Sequence, residues 1–249
     1  MKKIDGKVGA IIVAAGTSTR MGEVDKVFAH LAGEPLLAKV VTVFNDCQSI
    51  DEIVIVLAKR SLELGRKLAK EHNWHKVVAV CPGGTRRQDS VKEGLRRLTN
   101  CEWVIIHDGA RPCISADLIE RGLIAAQETG AAIAGVPVKD TIKIVSRRGF
   151  VQQTPTRQSL WAAQTPQVFR YSLIAEAYKQ TDEDVTDDAA LVEKLGHKVE
   201  VYMGSYHNIK ITTPEDLAVA EVFLQKKECR HSTTTEALCA PVSATTPIG

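Results

Sequence analysis

The chain has 249 residues, 44% hydrophobic and 5% aromatic, which suits one α/β domain or two small ones around a sizeable core. Its 32 basic and 30 acidic residues leave a formal charge of +2, too near neutrality for bulk attraction to nucleic acid or to a membrane surface. Any affinity for anions must therefore be local. Cys47, Cys81, Cys101, Cys113, Cys229 and Cys239 are scattered without Cys-x-x-Cys pairs, which disfavours zinc and redox motifs and leads us to expect free thiols in a reducing cytoplasm. No apolar stretch approaches the ~18 residues of a membrane span. The charged residues before Val8 lead into a short, strand-like run, not into a signal peptide.

That run, Val8 to Val13, reads as a buried strand emptying into Ala14-Ala15-Gly16-Thr17-Ser18-Thr19-Arg20-Met21-Gly22, with Lys26 just beyond. Small side chains let a ligand approach the backbone, where successive N–H groups bond anionic oxygens. The loop has neither the G-x-G-x-x-G of a dinucleotide fold nor the G-K-S/T of a P-loop. It is either a third kind of phosphate loop or an ordinary strand-to-helix turn, and residues elsewhere must decide.

Pro35 suits a first helical turn, and Leu36, Leu37, Val40, Val41 and Phe44 follow at helical spacing. The β-branched run 53–57 predicts a strand buried on both faces of a parallel sheet. A helix over 61–72, a strand over 76–80, a helix over 90–98 and a strand over 103–107 follow. Ser115 suits an N-cap, with Asp117 favouring the helix dipole, for a helix to about Thr129; 131–136 is the next strand. This alternation predicts a Rossmann-like, mostly parallel sheet with helices on both faces and right-handed crossovers. Ligands in such sheets sit beyond the carboxyl ends of strands.

Over 138–158 the rhythm breaks. Ile142 to Val145 and Phe150 to Gln153 flank Ser146-Arg147-Arg148-Gly149, a polar-tipped β-hairpin. A lone two-stranded ribbon is marginally stable, so it is expected to pack on a second subunit as a dimerisation arm, the alternative being a hairpin folded onto its own domain. After 161–169 come a helix over 171–179, a helix over 187–195 capped by Thr186, and a strand over 199–203. Thr213-Pro214-Glu215-Asp216 then combines a cap, an N1 proline and first-turn acids for a helix to about Lys227. A single domain over 1–227 and a disordered Ser/Thr/Ala/Pro-rich tail over 228–249 are the resulting expectations.

Asp108 follows the strand at 103–107, where a carboxylate can hold Mg²⁺ against nucleotide phosphates; alone, it is about as readily a loop cap. Gly83 and Gly84 open a second glycine-rich turn before a helix N-terminus, where Ser90 and the open backbone can meet a base or an anion. The competing reading is a plain loop and cap.

The order of the pieces is more specific than any one of them. Ala14-Ala15-Gly16 with Arg20-Met21 and Lys26, Gly83-Gly84 with Arg87 and Ser90-Val91, and His107-Asp108 with Arg111-Pro112 come first. Asp140-Thr141-Ile142-Lys143, Gln164-Thr165-Pro166-Gln167 with Phe169, Thr186-Asp187-Asp188 and Asn208-Ile209-Lys210 follow. Together, from about Val8 to Leu224, they resemble the bacterial 2-C-methyl-D-erythritol 4-phosphate cytidylyltransferases.

The resemblance implies a nucleotide-diphospho-sugar transferase-like fold and cytidylyl transfer from CTP to 2-C-methyl-D-erythritol 4-phosphate in the non-mevalonate isoprenoid route. It assigns Arg20 and Lys26 to the triphosphate, Asp108 to Mg²⁺ or another divalent cation, and Lys210 to the reacting α-phosphate. Ala14, Ala15, Gly84 and Ser90 would surround cytosine and ribose, with Gly16 and Gly83 also binding the nucleotide. Thr141, Arg157, Thr165 and Thr186 would lie around the acceptor, Thr141 and Arg157 reaching in from the neighbouring subunit of a homodimer. Position 18 is Ser where many relatives have Gly, and His207 precedes Asn208 where some carry an acid. Asp187 and Asp188 are read as first-turn helix acids or helpers of the metal, and His107 as structural. The rivals are a cytidylyltransferase acting on ribitol 5-phosphate and a nucleotide-binding regulator without turnover.

Overall fold

The computed structural model describes residues 4–16, 26–180 and 183–236, with only the backbone described from 226. The main elements alternate along the chain as the apolar pattern dictates. β1 (Val8–Ala14) is followed by a short pair, β2 (His30–Leu31) with β3 (Glu34–Pro35), and by α1 (Leu36–Asp46). β4 (Glu52–Leu57), α2 (Leu62–Glu71), β5 (Val77–Pro82), α3 (Arg87–Leu95), β6 (Trp103–Asp108), α4 (Ala116–Thr129) and β7 (Ala131–Pro137) complete the first half of the fold. Then come β8 (Ile144–Val145), β9 (Val151–Gln153), β10 (Trp161–Arg170), α5 (Tyr171–Gln180), α6 (Ala189–Lys194), β11 (Glu200–Met203) and α7 (Pro214–Glu236).

Seven strands form one sheet in the order β11-β7-β10-β6-β1-β4-β5. All neighbouring pairs are parallel except those of β10, which runs antiparallel to both β6 and β7. β1, β4 and β6 are buried along their whole length, as expected of strands covered on both faces. Alternation along β1 divides the core in two. Ala10 and Ile12 join α1, α2, α4 and Ala220 of α7 on one face, while Ile11 and Val13 join α3, α5 and α6 on the other. Phe44 and Phe169 are fully buried, one on each side; truncating either to Ala should cost ~3–5 kcal/mol.

Local chemistry sets the helix ends. Ser115 Oγ accepts from the Leu118 amide at 3.3 Å, and α4 stops at Gly130, whose φ of +79° suits a residue without Cβ. Elsewhere the caps differ from expectation. α3 starts at Arg87, not at Ser90, because Asp89 folds back to take the Arg86 amide at 3.1 Å. Thr186 does not cap α6, which begins at Ala189; Asp187 takes the Ala190 amide instead, at 3.2 Å. α7 runs on to Glu236, past the expected end at Lys227, so the region expected to be tail begins as helix; 237–249 lies outside the described residues.

The expected hairpin is present. β8 and β9 pair antiparallel, the Gly149 amide closing the tip onto the Ser146 carbonyl at 2.9 Å. Its large apolar side chains are exposed, Phe150 by 71% and Val151 by 58%.

Candidate active site

The carboxyl ends of β1, β5 and β6 open onto one cavity of about 440 Å³. β1 delivers Ala14, and the loop beyond it Ala15 and Gly16; Lys26 returns at the start of a short 3₁₀ turn. From the turn after β5 come Gly84 and Arg86, from the first turn of α3 Arg87 and Ser90, from the end of β6 Asp108, and from the loop before α7 Lys210. Eight of the sequence-derived site residues thus meet here: Ala14, Ala15, Gly16, Lys26, Gly84, Ser90, Asp108 and Lys210.

Gly83 stands just behind the wall. A Cβ there would lie 2.4 Å from that of Ala15 and 2.5 Å from Ser90 Oγ, so the two phosphate-facing turns can touch only across a glycine. Ser90 Oγ in turn accepts from the Gly84 amide at 3.2 Å, shaping the turn from inside α3.

The cavity has a cationic lining despite the near-neutral chain. Lys26, Arg86, Arg87 and Lys210 face it with one carboxylate, Asp108. Lys210 Nζ lies 2.8 Å from Asp108 Oδ2, Arg87 Nε 3.3 Å from Oδ1, and Arg111 Nε 3.6 Å from Oδ2. Burial alone would raise the Asp108 carboxyl, but Arg87, Lys210 and Arg111 outweigh it and hold the group well below the usual carboxylate range. Asp108 is therefore held as a carboxylate at neutral pH.

Arg87, whose importance the sequence only hinted at by its place after the glycines, bridges two acids. Its NH1 lies 2.7 Å from Asp188 Oδ2, and Asp188, fully buried, also accepts from the Tyr178 hydroxyl at 2.5 Å. Asp188 thus anchors the arginine instead of serving as a first-turn acid, while Asp187 does take that helix role. Arg86 is pinned by Asp89 at 2.7 Å and Asp184 at 3.0 Å.

His107 is structural, as read from the sequence. It is fully buried, with Nδ1 3.1 Å from Thr165 Oγ1 and Nε2 3.3 Å from the Arg111 carbonyl. Burial pushes its pKa down to about 3, so it is a neutral scaffold at working pH. The tautomer that satisfies these neighbours has Nε2–H donating to Arg111 and Nδ1 accepting from Thr165.

Other expected contacts fall elsewhere. Thr165 is buried and its hydroxyl accepts from the Asp108 amide at 3.0 Å, so within this chain it supports the site from behind. Thr141, Arg157 and Thr186 are exposed and do not line the cavity. Arg157 donates to the Lys139 carbonyl at 2.9 Å, beside the arm. Arg20 and Ser18 lie outside the described residues.

No group of three potential metal-ligating His, Cys, Asp or Glu side chains comes together among the described residues. The donor set is one hard carboxylate at the cavity wall. That fits Mg²⁺, which typically takes one or two protein carboxylates and completes its shell with phosphate oxygens and water.

A mostly parallel sheet with glycine-rich turns and a lysine-lined cavity at its carboxyl edge defines an α/β enzyme that handles a nucleotide, a nucleotidyltransferase. The chain belongs to the 2-C-methyl-D-erythritol 4-phosphate cytidylyltransferase family, whose model matches residues 8–226. A relative of that name from Dehalococcoides mccartyi (strain CBDB1) is 52% identical over 223 residues, covering 90% of this chain and 98% of the relative. One from Alkaliphilus oremlandii is 47% identical over 227 residues, covering 89% and 96%. Among solved structures, the 4-diphosphocytidyl-2C-methyl-D-erythritol synthase of Anaerococcus prevotii superposes with a TM-score of 0.78 at 34% identity, over 88% of this chain and 96% of that one. The cytidylyltransferase of Thermus thermophilus gives 0.74 at 31% identity, over 88% and 99%.

Proposed function

We propose that this chain transfers the cytidylyl group of CTP to the phosphate of 2-C-methyl-D-erythritol 4-phosphate, giving 4-diphosphocytidyl-2-C-methyl-D-erythritol and pyrophosphate. The observation that carries the reading is the family match running through every wall of the cavity, from Ala14 to Lys210.

The chemistry asks for little beyond what the cavity offers. A phosphate monoester, with a second pKa of about 6, is largely a dianion at neutral pH and needs no protein base to attack. The neutral, sequestered His107 agrees with that. The new bond joins the acceptor phosphate oxygen to the α-phosphorus as the bond to the β-phosphate oxygen breaks and pyrophosphate leaves. The obstacle is repulsion between two anions, which positioning and fixed charges overcome.

In this reading Lys26, with Arg20, holds the triphosphate, and Lys210 stabilises the charge building on the α-phosphate. Ala14, Ala15, Gly16, Gly84 and Ser90 receive the nucleoside, with Gly83 permitting their close approach. A Mg²⁺ ion at Asp108 would neutralise phosphate charge. The acceptor half, with Thr186, is completed in a homodimer by the arm of a second copy carrying Thr141 and Arg157. Phe150 and Val151 on that arm are the kind of apolar surface a partner covers. We place the enzyme in the cytoplasm, a reducing compartment in keeping with the free thiols of Cys47, Cys81, Cys101 and Cys113. No helix among the described residues is long and apolar enough to cross a membrane.

Pyrophosphate release should be followed with CTP, Mg²⁺ and each of two acceptors. Turnover with the methylerythritol phosphate and at most a trace with ribitol 5-phosphate is expected. Preference for ribitol 5-phosphate, or CTP binding without turnover of either, would overturn the assignment.

A further inference from the structure

Lys210 stands on a loop that is tied down on both sides by groups outside the cavity. On the near side is Asn208, fully buried, whose Nδ2 donates to the Thr165 carbonyl at 2.8 Å. Its own carbonyl accepts from Arg111 NH1 at 2.7 Å. Arg111 faces Asp108 through Nε at 3.6 Å, and the Asp108 amide donates to Thr165 Oγ1 at 3.0 Å. Asp108, Thr165, Asn208 and Arg111 thus form a closed ring that joins the end of β6, the irregular middle of β10 and the loop before α7.

Lys210 springs from this ring two residues after Asn208 and returns to it through Asp108. The residue after Lys210 is fixed by its amide, Ile211 N–H donating to the Ala110 carbonyl at 2.8 Å. On the far side Asp216 Oδ2 accepts from the amides of Thr212 at 2.7 Å and Thr213 at 2.8 Å. Stability alone does not account for an asparagine here. Its Oδ1 is buried without a hydrogen-bond partner, and a buried unpaired amide oxygen is costly.

We propose that Asn208 is a positioning residue for the transfer. Its carboxamide and carbonyl lock the backbone from which Lys210 reaches the cavity, so that the ammonium stands where the α-phosphate acquires charge. The proposal rests on the role given to Lys210 above.

The test is a cycle of four proteins, wild type, Asn208→Ala, Lys210→Ala and the double variant, measured for kcat and for the KM of CTP. Asn208→Ala should lower kcat by ~10–100-fold, the scale expected when a catalytic group is displaced by about 1 Å. The KM of CTP should move less than about threefold, since a group acting in the transition state leaves ground-state binding largely intact. The double variant should fall within about threefold of Lys210→Ala alone, because a misplaced lysine and a missing one are the same defect. A purely structural role would instead lower the folded fraction and leave losses that multiply. Unchanged kcat in folded Asn208→Ala, a rise in KM alone, or multiplying losses would overturn the proposal while leaving Lys210 in place. Near-normal turnover in Lys210→Ala would remove the lysine's role and this proposal with it. If Asn208→Ala does not fold, Asn208→Ser takes its place in the same cycle; failure of both to fold makes the role structural and ends the proposal.

Discussion

The cavity wall and the arm are built on opposite principles. Around the cavity, charged and polar groups are sunk into the chain's own core, and the central ones find their neighbours within it: Asp108 with Lys210, Arg87 and Arg111, and Asp188 with Arg87 and Tyr178. On the arm, apolar groups are held out in solvent, and β8 and β9 have little but each other to pair with. The buried charges of the wall are paired within one chain, whereas the apolar side chains of the ribbon stand in solvent. In our reading, the nucleotide half of the site belongs to one copy and the acceptor half to two.

The largest effects should come from removing the cavity's cations. Lys210→Ala and Lys26→Ala are each expected to lower kcat/KM by ~10²–10³-fold, the scale of losing one preorganised charge contact in a water-poor site. Circular dichroism should be unchanged, because neither ammonium is buried in the core. Lys210→Ala should act mainly on kcat and Lys26→Ala on the KM of CTP as well. Near-normal activity in either would take that residue out of the site.

Breaking the arm should spare the nucleotide half. Phe150→Asp with Val151→Asp places two charges on the surface assigned to the partner, and loss of apolar anchors of this kind costs ~2–4 kcal/mol each at an interface. Sedimentation at micromolar concentration should then show monomer, with turnover down at least ~10-fold by loss of the partner's Thr141 and Arg157. CTP affinity, read by calorimetry, should remain within about threefold. A fully active monomer would collapse the contrast between the two regions.

The smallest effect concerns pH. His107 has its folded pKa at about 3, below the ~6.5 of an unfolded histidine, so between these values the unfolded chain binds more protons. Its contribution to stability is complete above pH 6.5 and is lost as pH falls toward 3, at up to ~1.4 kcal/mol per pH unit. Replacing it by Asn should flatten the fall of Tm between pH 6.5 and 4.5. An unchanged slope would mean that other groups carry the acid sensitivity.

Much of the central sheet could be read from the sequence, because β1, β4 and β6 are covered on both faces and so appear as unbroken apolar runs. The cavity was half legible for a related reason: Gly83 and Gly84 mark a turn in which side chains would collide with Ala15, Ser90 and Asp89. β10 was not legible, since Gln164, Thr165, Pro166 and Gln167 at its irregular middle break any alternation. Its place between β6 and β7 is settled by pairings with residues far away in sequence.

What the sequence determined by itself is local: which runs are buried strands, which spacing makes a helix, where a backbone must stay open to a phosphate. The tertiary structure alone decided which charges meet. Arg87 reaches Asp188 and Asp108, Asn208 reaches Thr165, and Thr186 loses its capping role to Asp187. Hydrogen bonds and ion pairs act over a few ångströms between groups that lie far apart along the chain, so only the folded chain chooses the partners.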